Sequence, residues 1–302
     1  MGTLTDSSAH LSESSTVVAR SDVAAHPPSR AAYAPILLLA ALVILAAVAR
    51  LIPTHNDLWL DELISLRMAR AVKTPWQIFT TLHKDNNHYL NTLYLYFVKN
   101  LNSPPAYRYL SLFWGILLVP AGYWFLARRS RLEGLILAGL LACSYPLIHF
   151  SAEARGYAGA LLGTVLAAAA LAPWMSEENG GMRSFFLALT YAVGLILGFL
   201  SHLTALLIWF PLAAGSLVIL AERPGRRQWI VRWVLLNSLP ASALAALYLL
   251  DLRFLTEAGG QPMTVSHGLA RLLALGLGLP GTGTAAVWVL LLPTIGLLGW
   301  EL

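Results

Sequence analysis

The chain has 302 residues, 57% of them hydrophobic and only 12% charged, against roughly 45–50% and about 25% in soluble domains. That balance excludes an ordinary soluble domain and reads as a membrane protein. The formal charge of +5 comes from arginines that are clustered rather than spread. No basic patch is interleaved with aromatics, so the charge reads as membrane topology and not as nucleic-acid binding. The single cysteine, Cys143, lies in an apolar run, which leaves neither a disulfide framework nor a cysteine-based metal site.

Residues 1–33 are rich in Ser, Ala and small polar residues and carry no apolar stripe. They are expected to form a disordered cytoplasmic tail. The first apolar run is too long and too late for a secretory signal. A bilayer core of about 30 Å needs roughly 20 mainly apolar residues in a helix. By that test spans are expected near 34–52, 107–126, 134–150, 156–174, 185–200, 203–221, 230–250 and 283–300. The expected fold is therefore an all-α polytopic membrane protein with about eight transmembrane helices. Arg128, Arg129 and Arg131 fall in one short loop and Arg223, Arg226 and Arg227 in another, with Arg232 just inside the next span. Their side should be cytoplasmic. "LWLDELISLRMAR", "SAEARG", "SH" and "DLRFLTEAGGQPMTVS" are then expected together on the extracytoplasmic face.

The loop at 53–106 is too long for a simple connector and carries helical signals of its own. Leu90, Leu93, Tyr94, Phe97 and Leu101 recur at three- and four-residue intervals, one face of a helix that can lie in the membrane interface. "TPWQIF" offers Thr74 as a cap and Pro75 as a first helical residue. Asp61 stands just before Leu63, Ile64 and Leu66, so it can open a third helix as its cap, with Glu62 favoured by the helix dipole. The start of a helix held at a membrane surface is also a rigid mount for a base, so cap and catalyst both remain open. Further along, "HKDNNH" packs His83, Lys84, Asp85, Asn86, Asn87 and His88 together. Such a cluster is either a solvated loop tip or part of a site.

"LWLDELISLRMA", "NNHYLNTLYLY", "YPLIHFSAEARGYAGALL" and "SHLTALL", in that order, resemble motifs of the GT-C superfamily of membrane glycosyltransferases. The likeness is to the bacterial relatives of dolichyl-phosphate-mannose protein mannosyltransferases and of the lipid A aminoarabinose transferase, and it runs from about Ala34 to Leu220. The acidic pair of that family falls on Asp61 and Glu62. Its later histidine motif falls on His88, without the usual prolines, and its "EAR-Y" motif on Glu153, Ala154, Arg155 and Tyr157. Residues 34–302 are then expected to form a GT-C-like transmembrane domain; family members usually continue with further spans, so a fragment and a short variant are both open readings.

The resemblance implies transfer of a sugar from a polyprenyl-phosphate donor to a lipid, glycan or protein acceptor, outside a bacterial inner membrane. Attack by an acceptor hydroxyl needs a general base, for which Asp61 is the candidate, with Glu62 beside it. Attack opposite the departing phosphate inverts the anomeric centre. The leaving phosphate wants cationic partners. Arg155, costly between two apolar spans unless paired or working, fits best, ahead of Lys84 and Arg253. The plainer reading of Arg155 is an internal ion pair, and of His202 a hydrogen-bonded structural residue. Asp61, Asp85 and His88 can supply ligands to a divalent cation, a question the spacing leaves open. No other cofactor is indicated. A lipid or lipid-linked-sugar flippase and a non-catalytic scaffold are the rival classes; a transporter should carry its polar residues nearer the bilayer midplane.

Overall fold

The computed structural model describes residues 30–177 and 181–255. The chain divides into residues 1–34 and 35–302. All but the last few residues of the expected tail, the expected span at 283–300 and the whole segment after Leu255 lie outside the described residues.

Among the described residues every regular element is a helix: α1 (Arg30–Leu51), α2 (Leu60–Ala71), α3 (Gln77–Thr80), α4 (Tyr89–Val98), α5 (Pro104–Ala127), α6 (Arg131–Cys143), α7 (Tyr145–Ser151), α8 (Tyr157–Ser176), α9 (Met182–Ser201), α10 (Leu206–Ala221) and α11 (Arg226–Leu250). Short 3₁₀ turns at Ile52–His55, Leu203–Ala205 and Leu252–Phe254 extend α1, lead into α10 and follow α11. Six helical stretches are long and apolar enough to cross a membrane, and α6 with α7 makes a seventh if that pair, bent by 59°, is one span. Each lies on one of the expected spans.

The bend has a cause in the sequence. Pro146, near the start of α7, cannot continue α6. Carbonyls freed at the break are met by Arg50, fully buried on α1, which donates to Leu141 O at 2.7 Å and Ala142 O at 3.0 Å. An arginine within a membrane helix is costly unless its donors are used, and here it holds α1 against the break. Packing of α8 on α9 rests on small residues. A β-carbon at Gly163 would lie 2.3 Å from the Gly194 carbonyl, so the two backbones touch directly. Asn237 on α11 accepts hydrogen bonds from Tyr191 of α9 at 2.8 Å and Trp209 of α10 at 3.0 Å, tying three spans with one buried amide.

The helices of the long loop start differently from expectation. α2 is capped at Trp59, so Asp61 is not its cap but stands within the first turn. Glu62 takes the reciprocal capping contact, accepting from the Trp59 N–H at 2.9 Å. α3 begins at Gln77, whose side chain accepts from the backbones of Lys73 and Thr74, so Thr74 is not a cap either. On α4 the apolar stripe is divided: Leu90, Leu93 and Tyr94 are half-buried, Phe97 is exposed, as is Leu101 beyond the helix end, and the buried side carries Tyr89, Asn91, Thr92 and Leu95.

Candidate functional site

Two carboxylate–arginine pairs are built from adjacent residues of α2. Glu62 is sealed. Its carboxylate accepts from Arg108 Nε at 2.8 Å and Nη2 at 2.6 Å, from the Ala154 N–H at 2.6 Å and from the Trp59 N–H. Burial pushes its acidity down, but these donors outweigh it and hold the carboxyl below its ordinary pKa. Arg108, one turn into α5, also donates to the carbonyls of Thr54 at 2.8 Å, Asn56 at 2.6 Å and Asp57 at 2.9 Å. The pair thus joins the exit of α1, the start of α2, α5 and the turn before α8. Every lone pair of Glu62 that geometry allows is taken, so its place is that of a structural anchor.

Asp61 is open. Its side chain is 43% exposed, against 0% for Glu62, and it pairs with Nη1 of Arg155, which is only 11% exposed. Arg155 is fixed from several sides: Nη2 donates to Asn86 Oδ1 at 2.9 Å, Nε donates to His88 Nε2 at 3.3 Å, and the guanidinium lies 4.9 Å from the Tyr157 ring centre. Asn86 in turn donates to the Asp61 carbonyl at 3.1 Å, so one amide sets the distance between acid and base.

His88 is a neutral imidazole whose tautomer follows from its partners. One ring nitrogen faces the Ser201 carbonyl, leaving Nε2 to accept from Arg155. Burial, then the proximity of His202 and Arg155, keeps its pKa well below the ordinary histidine value. His202, half-buried and near Arg155, is pushed down to about 4. It stacks 4.6 Å from Tyr157 and 4.6 Å from His88, and its Nδ1 accepts from the Thr204 N–H at 3.1 Å. Gly156 permits this assembly, since a β-carbon there would sit 1.7 Å from the Ser201 carbonyl. The expected segments at 58–70, 86–88, 153–157 and 201–202 therefore meet at one end of the bundle.

A second network holds the "HKDNNH" loop. Asp251, fully buried at the end of α11, meets His83 Nδ1 at 2.5 Å and accepts from the Tyr89 hydroxyl at 2.6 Å. Burial and the adjacent carboxylate raise the Tyr89 pKa, so it stays a donor. Lys84 and Asp85 are exposed at the loop tip, and Arg253 is exposed with its guanidinium over the Phe254 ring. Among the described residues no three His, Cys, Asp or Glu side chains form a group, and Arg155 stands between Asp61 and His88.

Glu153 faces the other way. It lines a cavity of about 230 Å³ with Trp59, Asp57, Glu62, Arg108 and His149. His149 Nε2 lies 3.0 Å from its carboxylate, and burial raises the Glu153 pKa despite that neighbour.

Sequence reading missed Arg50, Arg108, His149 and Asp251. The first two carried a signal, an arginine near the end of an apolar span, which is rarely without a partner. Asp251 and His149 carried none, since an isolated polar residue at a span end is ordinary. Comparisons with protein-family models, curated proteins and solved structures returned no match to this chain. Function therefore rests on the geometry of the Asp61–Arg155 cluster and on the motif resemblance.

Proposed function

We propose that the chain is a glycosyltransferase of the GT-C kind, moving a sugar from a polyprenyl-phosphate donor to an acceptor hydroxyl on the extracytoplasmic face of a bacterial inner membrane, its N-terminus cytoplasmic. The observation that carries this reading is a half-exposed carboxylate, Asp61, set against an arginine that neighbouring groups already hold in place. Bringing in a phosphate shifts the Arg155 Nη1 donor from Asp61 to the phosphate oxygens, while Asn86 and His88 keep the guanidinium aimed. Asp61, freed of its partner, takes the acceptor's proton. The acceptor oxygen forms a bond to the anomeric carbon as the bond from that carbon to the phosphate oxygen breaks. The electron pair leaves with the polyprenyl phosphate, and the anomeric centre inverts.

His88 and His202, both neutral, add donors and acceptors without adding charge, so Arg155 remains the dominant cation beside Asp61. Glu62 acts by position, fixing the first turn of α2 from which Asp61 projects.

The test is reconstitution of the full chain in vesicles with a panel of radiolabelled polyprenyl-phosphate sugars. Release or transfer of sugar, with inverted configuration in the product, is the expected outcome. Absence of turnover with every lipid-linked sugar, together with movement of any of them across the bilayer, would replace the enzyme reading with that of a flippase.

A further inference from the structure

Helix α2 turns an apolar side away from the protein. It has 12 residues, too few to cross a bilayer core that needs roughly 20, and its two sides are sharply divided. Glu62, Ser65, Leu66 and Ala69 are buried, whereas Leu60, Leu63, Ile64 and Arg67, at the i, i+3, i+4 and i+7 spacing of one helix face, are exposed. Leu60 is 68% exposed and Leu63 48%, and Trp59 at the helix cap is 59% exposed. Polar groups that water would hydrate point inward, and leucines that water would not point out.

The level of this face is set by its packing. The Arg108 guanidinium donates to the carbonyls of Thr54, Asn56 and Asp57 and to the Glu62 carboxylate. One planar group therefore joins the segment by which α1 ends, the first turn of α2 and the start of α5. At the other end of the helix Arg70 donates to the Lys99 carbonyl at 3.1 Å and to the Tyr107 hydroxyl at 3.5 Å. Leu66 and Ala69 pack with Tyr107, at the start of α5, and with Ala154, just before α8. α2 thus lies over the starts of two spans, with its ends tied to the adjacent residues Tyr107 and Arg108.

Continuity with α1 identifies what the exposed face meets. α1 exposes Ile44, Val48 and Ile52 at four-residue intervals, a stripe that a span turns to lipid. The stripe stops at Ile52, and the Arg108 network holds the first turn of α2 beside that point. A short helix with Leu, Ile and Trp on its outer side, fixed where a span leaves the bilayer, has the make-up of one that lies in the interface with its apolar side roughly 5–10 Å into the headgroup–acyl boundary. Tryptophan is enriched at that level. Arg67, on the same face, has an apolar stem long enough to carry its charge out to the lipid phosphates.

We propose that Trp59, Leu60, Leu63 and Ile64 form a membrane-docking face whose partner is the lipid surface beside α1, at the boundary between headgroups and acyl chains. The Asp61 carboxylate, on the flank of the same turn, is then held at the level of lipid phosphates. The inference requires that α1 spans the bilayer; it does not rest on the glycosyltransferase reading and stands if that reading fails.

The test uses the full chain carrying Cys143→Ser, which removes its single native thiol, reconstituted in vesicles of phosphatidylethanolamine and phosphatidylglycerol. A thiol-reactive fluorophore is attached at Leu60→Cys, Leu63→Cys or Ile64→Cys, at Ile44→Cys within α1 and at Arg129→Cys, exposed between α5 and α6. A further variant, Arg67→Cys, reports from the same face of α2 with all four apolar residues in place. Quenchers are iodide on both sides of the bilayer and nitroxide lipids labelled either near the headgroup or near the chain end. Every label on the α2 face should lose most of its fluorescence to the nitroxide near the headgroup, less to the one near the chain end and least to iodide. Ile44→Cys should reverse the order of the two lipids, and Arg129→Cys should respond to iodide. Quenching by iodide at the α2 positions as strong as at Arg129→Cys, without quenching by lipid, would place the face in water. Protection from both quenchers would place protein on it, either a second copy or another part of this chain. Either of these results overturns the proposal.

Discussion

Asp61 and Glu62 are neighbours in the first turn of one helix, each is paired with one arginine, and the two pairs differ in almost everything else. Glu62–Arg108 is closed off, saturated with hydrogen bonds and tied to four segments of the chain. Asp61–Arg155 is half open, and the groups around it fix the arginine rather than the acid. A saturated pair in the interior has nothing left to offer a ligand; an arginine held by neutral groups can exchange one carboxylate for another anion without moving. Chain adjacency therefore puts a scaffold and a candidate reactive group one residue apart.

The largest effect separating the two pairs should come from the sealed one. Glu62→Gln leaves the Arg108 charge buried without its counter-ion, and breaking such a pair costs about 3–5 kcal/mol. Thermal or denaturant unfolding should show that loss, and the double variant Glu62→Gln with Arg108→Met should recover part of it. If the single variant unfolds like wild type, Glu62 is not an anchor.

Next is Arg155→Met, which should weaken use of a polyprenyl-phosphate donor by roughly 100-fold through loss of charge-assisted hydrogen bonds. Arg155→Lys should recover only part, because one ammonium cannot meet Asp61, Asn86 and His88 together. Donor titration in vesicles reads both. Asp251→Asn comes third. It weakens the contacts to His83 and Tyr89 that hold the loop, a loss of about 1.5–3 kcal/mol for bonds to a charged group, and limited proteolysis between Lys73 and His88 should accelerate.

The smallest effect is in acid. Folded His202 titrates near 4 and folded His88 well below its ordinary 6.5, so from 6.5 downward the unfolded chain takes up protons that the folded chain refuses. Their contribution is complete above 6.5 and declines as pH falls through the window toward 4. Glu62 contributes above its unfolded value of 4.5 and is lost only as pH falls through its lower folded value. Melting temperature against pH should thus fall in two stages, and His202→Gln should blunt the upper one while leaving the lower.

Much of this architecture was legible before any coordinates. Long apolar runs mark the spans because a bilayer allows little else, and the described spans fall where those runs lie. The meeting of "LWLDELISLRMAR", "HKDNNH", "SAEARG" and "SH" at one end follows from counting crossings. What could not be read was the division of labour between Asp61 and Glu62. It depends on Arg108, 46 residues away in the chain, and on a backbone N–H at Ala154, and no local pattern records either. The α4 stripe marks a half-buried face, and the fully buried one beside it mixes Leu95 and Tyr89 with Asn91 and Thr92, whose burial no local pattern records. The α6–α7 bend has a local mark in Pro146, whereas Arg50, which meets the freed carbonyls from α1, leaves none.

The split between an open reactive acid and a sealed structural one can be read from two amide variants in a single preparation. Asp61→Asn should lose less stability than Glu62→Gln, because its carboxylate is 43% exposed against 0%, yet lose turnover of a lipid-linked sugar by roughly 10²–10⁴-fold, while Glu62→Gln should lose stability first and activity only as folded protein disappears. Wild-type turnover in folded Asp61→Asn, or intact stability with lost turnover in Glu62→Gln, would contradict it.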